Sequence, residues 1–263
     1  MTASVLTPTA GPQAVYRINP VAKFAATFVL AIVLVLSIDW VSASVALALE
    51  FVLFFWAGVS LRTFFTRTLA IWIAAPLGAF TILLYGRPSG ETHFQFLLIE
   101  VSDGSIQLAI ATLLRMLAIG LPAVVLFITI DPTDLADGLA QVAKLPSRFV
   151  LGGLAGLRLI GLFLDDWRSL ELARRARGVA DRGRLRRFAS QAFALFVLSI
   201  RRGTKLATAM EARGFGGDGK RTWARESRLR WPDAVLIGLA VLVAASAATV
   251  SIATGNWNFI AAQ

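Results

Sequence analysis

The sequence predicts an all-α integral membrane protein, with about five transmembrane helices and a cytoplasmic three-helix domain inserted before the last span. Three observations carry that prediction. The 263 residues are 57% hydrophobic and their mean hydropathy is +0.70, far above an ordinary soluble domain. Five apolar runs approach or exceed the length that crosses a bilayer. Charge is also segregated: the stretch from Asp131 to Trp231 holds 20 Lys and Arg against 10 Asp and Glu, which accounts for the entire net charge of +10. A basic block between spans belongs on the cytoplasmic side.

The elements follow in order. Residues 1–20 open with MTASVLTPTAGPQ, which has two prolines and no basic segment, and read as a disordered cytoplasmic tail. Residues 21–130 hold the first four spans. Phe24 to Ile38 is short but uninterrupted, and is not expected to be cleaved as a signal peptide, although Ser-Ala-Ser at 42–44 weakly mimics a cleavage site. Val41 to Val59 carries one acid, Glu50. Leu69 to Tyr85 and Leu108 to Ile130 complete the set. Residues 131–231 form the cytoplasmic domain, and 232–263 hold the last span, Ala234 to Thr254, with an external tail.

The loops agree with this orientation. Arg17 and Lys23 lie inside, the turn at Asp39 and Trp40 outside, and Arg62 and Arg67 inside. The 86–107 loop, with Glu91, Glu100 and Asp103 against Arg87, lies outside. Trp40, Trp231 and Trp257 sit at span ends, as an aromatic belt would place them.

Two more apolar stretches, 149–164 and 188–200, lie inside the basic block. A membrane hairpin of the two would export Arg168, Arg174, Arg175, Arg177, Arg182, Arg184, Arg186 and Arg187, against the orientation rule. Both are therefore read as helices at or below the inner membrane surface. In Asp-Pro-Thr-Asp, Asp131 can cap the first cytoplasmic helix, Pro132 suits its first position and Asp134 its dipole. That helix is expected to reach about Lys144. A long helix starts at Pro146 and runs to ELARRARG, and a third ends at TAMEARG.

Several chemistries are excluded. Without cysteine there is no disulfide, thiol catalysis or thiolate metal site. The one histidine, His93, lies in the polar stretch GRPSGETHFQ and reads as solvated, not as a ligand. No metal or other cofactor is implied. EARGFGGDGKRT at 211–222 fits two phosphate-loop patterns through Gly214, Gly216, Gly219 and Lys220. Both patterns need a strand before the glycines and a helix after them. Here the helix-forming LATAMEA comes first and a polar stretch follows, so Gly214 reads as a left-handed helix cap.

The two long cytoplasmic helices share an ending, A-x-x-A-R-G. Ala173, Ala176, Arg177 and Gly178 align with Ala209, Ala212, Arg213 and Gly214. A single arginine before a glycine stop is explained by the helix dipole, which contributes about 0.3–1 kcal/mol. Its recurrence at two helix tips suggests two equivalent docking points for two equivalent partners.

With these endings the chain resembles the transmembrane T components (EcfT-, CbiQ- and BioN-like) of energy-coupling factor transporters, the vitamin and metal-ion importers of the ABC class. The paired ARG endings are that family's signature. INPVAKF at 18–24 resembles the proline-lysine start of its first span. LLRMLAIGLPAVVLFITIDPTDLADGLA resembles the fourth span running into the first coupling helix, and LRLIGLFLDDWRSLELARRARG the second coupling helix. Asn19 and Val21 stand where Asp and Arg are commoner, and Gly161 where proline is frequent.

The resemblance implies a non-catalytic energy-coupling subunit in a bacterial or archaeal cytoplasmic membrane. Two cytoplasmic ATPases would each receive one tip: Ala176, Arg177 and Gly178, or Ala212, Arg213 and Gly214. The coupling helices would carry ATP-driven motion to a separate substrate-binding S component in the membrane. Guanidinium suits such a tip, being always charged and able to pair bidentately with an acidic groove.

Other charges read more modestly. Arg115, inside an apolar span, is either a structural partner of Glu50 or part of the coupling path. Arg158 is assigned packing and hydrogen bonding. RGRLRRF at 182–188 can meet anionic lipid headgroups. Nucleic acid is not an expected partner, because the basic residues are tied to apolar helices. Two rivals remain: a conventional ABC importer permease, which carries one coupling helix per subunit, and a lipid phosphotransferase of D-G-x-x-A-R type. Asp137 and Gly138 begin that pattern, but Gln141 and Val142 break it. The transported substrate is not written in this chain.

Overall fold

A computed structural model describes residues 18–56, 61–86, 89–96, 99–178, 183–217 and 222–257. The expected tail, Arg17, Arg87, Arg182, Gly219, Lys220 and Arg221 lie outside the described residues. The elements are α1 (Pro20–Leu36), α2 (Trp40–Trp56), α3 (Leu61–Tyr85), β1 (Thr92–Phe96), β2 (Ile99–Ser102), α4 (Asp103–Ile128), α5 (Pro132–Gln141), α6 (Ser147–Ala176), α7 (Arg184–Ala212) and α8 (Trp231–Ala253). They fall into two units. One is Pro132–Ser227; the other holds the described residues up to Asp131 and from Arg228 onward.

Among the described residues, four helices are long and apolar enough to cross a membrane: α3 from Phe64, α4, α6 and α8. With 17 residues each, α1 and α2 reach only about 25 Å at a rise of 1.5 Å per residue, slightly short of a hydrocarbon core of about 30 Å. By length and hydropathy alone α6 thus qualifies as a span, although it groups with α5 and α7.

In the membrane unit α1 packs on α4 and α8, α2 on α4 and α8, and α3 on α4. Its main core joins Ala26, Leu30 and Leu34 of α1 to Ala46, Ala118 and four residues of α8, Ala240, Val243, Ala244 and Ala247. Alanine at most of these positions lets the backbones approach closely, which is how helices associate where lipid is as apolar as leucine. A second cluster packs Phe64 and Ala75 of α3 against Leu117 and Leu121 of α4.

Element ends follow local chemistry. Asn19 caps α1, its side chain accepting from the Val21 amide at 3.0 Å, with Pro20 first in the helix. Helix α4 starts at Asp103, not near Leu108, because Ser102 and Ser105 form a reciprocal capping box. Helix α3 starts at Leu61 and takes in Arg62 and Arg67, which are good helix formers. Helix α5 stops at Gln141, short of the expected Lys144, which turns left-handed at φ 53°. The 86–107 loop contains an unexpected antiparallel hairpin that pairs Gln95 with Glu100 and Phe96 with Ile99. His93 is not merely solvated: its Nε2 lies 2.7 Å from Asp103 Oδ1, with both side chains half exposed.

Candidate functional site

The two arginine tips have nearly the same backbone. Arg177, the C-cap of α6, has φ −88° and ψ 2°; Arg213, the C-cap of α7, has φ −91° and ψ 13°. Each is followed by a left-handed glycine, Gly178 at φ 67° and Gly214 at φ 73°. The Gly178 amide donates to the Arg175 carbonyl and the Gly214 amide to the Glu211 carbonyl, at 3.0 and 2.9 Å. At the second tip the Phe215 amide also reaches the Met210 carbonyl at 2.9 Å, completing a Schellman motif. Only a residue without a Cβ turns the chain away this sharply at low cost. The arginine is thereby left at the very end of each helix.

Ala176, Arg177, Gly178, Ala212, Arg213 and Gly214 are all exposed. Neither tip guanidinium has a hydrogen bond or ion pair among the described residues. Helices α6 and α7 pack together through Glu171 with Arg187 at 2.5 Å, Asp166 with Arg202 at 2.9 Å and Trp167 against Phe188. Arg187, from the basic cluster read as lipid-facing, is thus held by Glu171. Helix α7 has 29 residues and is about 43 Å long at 1.5 Å per residue, with Arg213 at its far end.

The second tip is braced in a way the sequence did not reveal. Arg148, in the first turn of α6, donates to the Gly216 carbonyl. Gln141 holds the returning chain, donating to the Arg225 carbonyl at 2.8 Å and accepting from the Ser227 amide at 2.9 Å. Asp134 lies 3.5 Å from Arg225. Beside the tip is an open groove of about 700 Å³ lined by Arg213, Asp137, Trp223 and Arg225. The phosphate-loop reading has no support in this geometry. Helix α7 precedes the glycines, and the amides of Gly214, Phe215 and Gly217 are already bonded to carbonyls of their own turn.

The three other candidates separate. Arg115 does not pair with Glu50: its guanidinium donates to the Ser37 carbonyl at 2.7 Å, beside Asp39. Glu50 is buried, and neither carboxylate oxygen has a hydrogen-bond partner among the described residues. Arg158, to which the sequence assigns packing and hydrogen bonding, is exposed on α6 and makes no hydrogen bond or ion pair among the described residues. No metal-holding group of His, Asp or Glu occurs among the described residues.

Residues 12–223 match the model of the CbiQ family, described as cobalt transport protein. The chain belongs to the CbiQ family. This CbiQ-family chain is 27% identical over 248 residues to the energy-coupling factor transporter transmembrane protein EcfT of Bacillus selenitireducens, covering 90% of this chain and 92% of that one. It is 30% identical to the EcfT of Lactococcus lactis, covering 86% and 90%. A shorter match, 31% identical to the EcfT of Limosilactobacillus fermentum, covers 59% and 62%. Conventional permeases and lipid phosphotransferases are set aside by this membership.

Proposed function

We propose that this chain is the transmembrane energy-coupling subunit of an energy-coupling factor importer for a vitamin or metal ion. It carries ATP-driven motion from two cytoplasmic ATPases to a separate substrate-binding membrane subunit. The observation that carries the reading is the pair of matching tips, each ending a long helix in an exposed arginine that is unpaired among the described residues. Two tips suit two ATPases, whereas a conventional permease subunit presents one coupling helix. ATP hydrolysis belongs to the partners, so the chain itself has no catalytic residue.

The surface for the substrate-binding subunit is supported by α6. The helix is apolar enough to span, yet none of its residues is buried. Phe149 on α6 and Leu185 on α7 are 80% and 82% exposed. Other apolar side chains are also exposed along these helices, Leu157, Ile160 and Leu164 on α6 and Phe193, Phe196 and Ile200 on α7, which suits a membrane or protein contact.

The test is co-purification of both ATPases with the Arg177→Ala, Arg213→Ala and double variants in detergent. Losing a desolvated charge-assisted contact costs about 2–5 kcal/mol, against about 1 or less for lost dipole stabilisation. Each single variant should therefore lose ATPase, the double variant more, with the subunit still monodisperse. Full recovery of both ATPases with the double variant rejects the docking role.

A further inference from the structure

The chain passes between its two units twice, after Asp131 and after Ser227. On the membrane side, both passages are held by the first turn of α1. Lys23 is 1% exposed; its Nζ donates to the Thr129 hydroxyl at 2.8 Å and the Thr129 carbonyl at 3.2 Å. Thr129 is the C-cap of α4. Asn19, one turn before Lys23, donates its backbone amide to Asp233 Oδ1 at 2.6 Å and its side chain to the Arg228 carbonyl at 3.5 Å. Asp233 is 2% exposed and lies in the first turn of α8. Its other oxygen accepts from the Arg230 amide at 2.5 Å. Phe24 packs edge-on against Phe127 at the same level, 4.4 Å between ring centres.

Each charge sits at the helix end that suits it. The ammonium meets the negative C-terminus of α4, and the carboxylate meets the positive N-terminus of α8. Burial is otherwise costly for such groups, so they hold their partners firmly. We propose that the first turn of α1 is a junction that makes α1, α4 and α8 move as one body when the α5–α7 unit moves, with Lys23 and Asp233 as its positioning residues. This rests on the coupling function proposed above. Without the junction, motion of α5–α7 would be absorbed by bending at residues 129–132 and 227–231 before reaching the core of α1, α4 and α8.

The test uses the complete complex, purified with its ATPases and substrate-binding subunit and placed in lipid nanodiscs. Because the chain has no cysteine, spin-label pairs can be introduced at exposed positions: Phe28 with Met116 reads α1 to α4, and Phe28 with Trp231 reads α1 to α8. Distances are compared between nucleotide-free and ATP–vanadate-trapped complexes. With native Lys23 and Asp233, both distances should stay fixed. Lys23→Met should match them without nucleotide but show a shifted or split α1–α4 distance on trapping. Asp233→Ala should do the same at the α1–α8 pair, and Lys23→Arg should restore the fixed distance.

If Lys23→Met does not assemble, Thr129→Val, which removes only the hydroxyl partner, carries the same expectation. Distances that stay fixed on trapping in these variants overturn the junction. So do distances already altered without nucleotide, which mark a purely structural contact. Absence of ATPases from the unsubstituted complex is a different failure; it overturns the coupling reading itself, and the junction with it.

Discussion

The turn between α1 and α2 offers the sharpest quantitative test. Asp39 accepts four hydrogen bonds: from the Ser37 hydroxyl, from the Ser42 amide and hydroxyl at 2.6 and 2.7 Å, and from the Ser251 hydroxyl at 2.7 Å. Asp39 and all three serines are buried. Burial alone would push the carboxyl up, but the four hydrogen bonds outweigh it and hold it below its ordinary value. Asp39→Asn keeps the shape and removes the charge. Two donors must then face an amide, and the other two bonds fall from charge-assisted to neutral strength. At about 1 kcal/mol for each of the four bonds lost or weakened, the loss is about 4 kcal/mol.

The assay is tryptophan-detected thermal unfolding in detergent across a pH series. A depressed carboxylate contributes stability that is fully present above its unfolded value, about 3.9, and is lost as pH falls through the folded value. The unsubstituted protein should therefore have the higher Tm at pH 7, and its advantage over Asp39→Asn should shrink below about pH 4. A gap that is absent at pH 7, or that does not change with pH, would refute the account.

Two further expectations concern the tips and the topology. Gly178→Ala and Gly214→Ala introduce a Cβ into open space, so their cost is the left-handed backbone alone, about 1 kcal/mol. Each should lower Tm slightly and weaken ATPase co-purification less than the arginine change beside it; a loss of ATPase equal to that of Arg177→Ala or Arg213→Ala would contradict this. Cysteines placed singly at Arg186 and Gly255 should react with impermeant maleimide from opposite sides of the membrane. Labelling of both from the outside would place α7 across or beyond the membrane and overturn the assignment of the basic block.

What the sequence determined by itself is what depends on neighbours along the chain. Apolar runs mark the helices because a bilayer-length apolar segment has few other stable forms. The glycines after Arg177 and Arg213 mark helix ends because a left-handed cap is a local requirement, satisfied within a few residues. Where such signals were weak, boundaries moved: α4 began earlier than expected at a serine capping box, and the short hairpin of residues 92–102 lay hidden in a polar loop. Tertiary structure alone decided which polar groups meet. Arg115 turned to the Ser37 carbonyl instead of Glu50, Ser251 reached Asp39 across 212 positions, Asn19 reached Asp233 across 214, and Arg148 braced the turn after Arg213. Buried polar atoms must find partners or bear the cost of desolvation. Which partners are within reach depends on how α1, α4 and α8, or α6 and α7, pack together, and no spacing in the sequence encodes that.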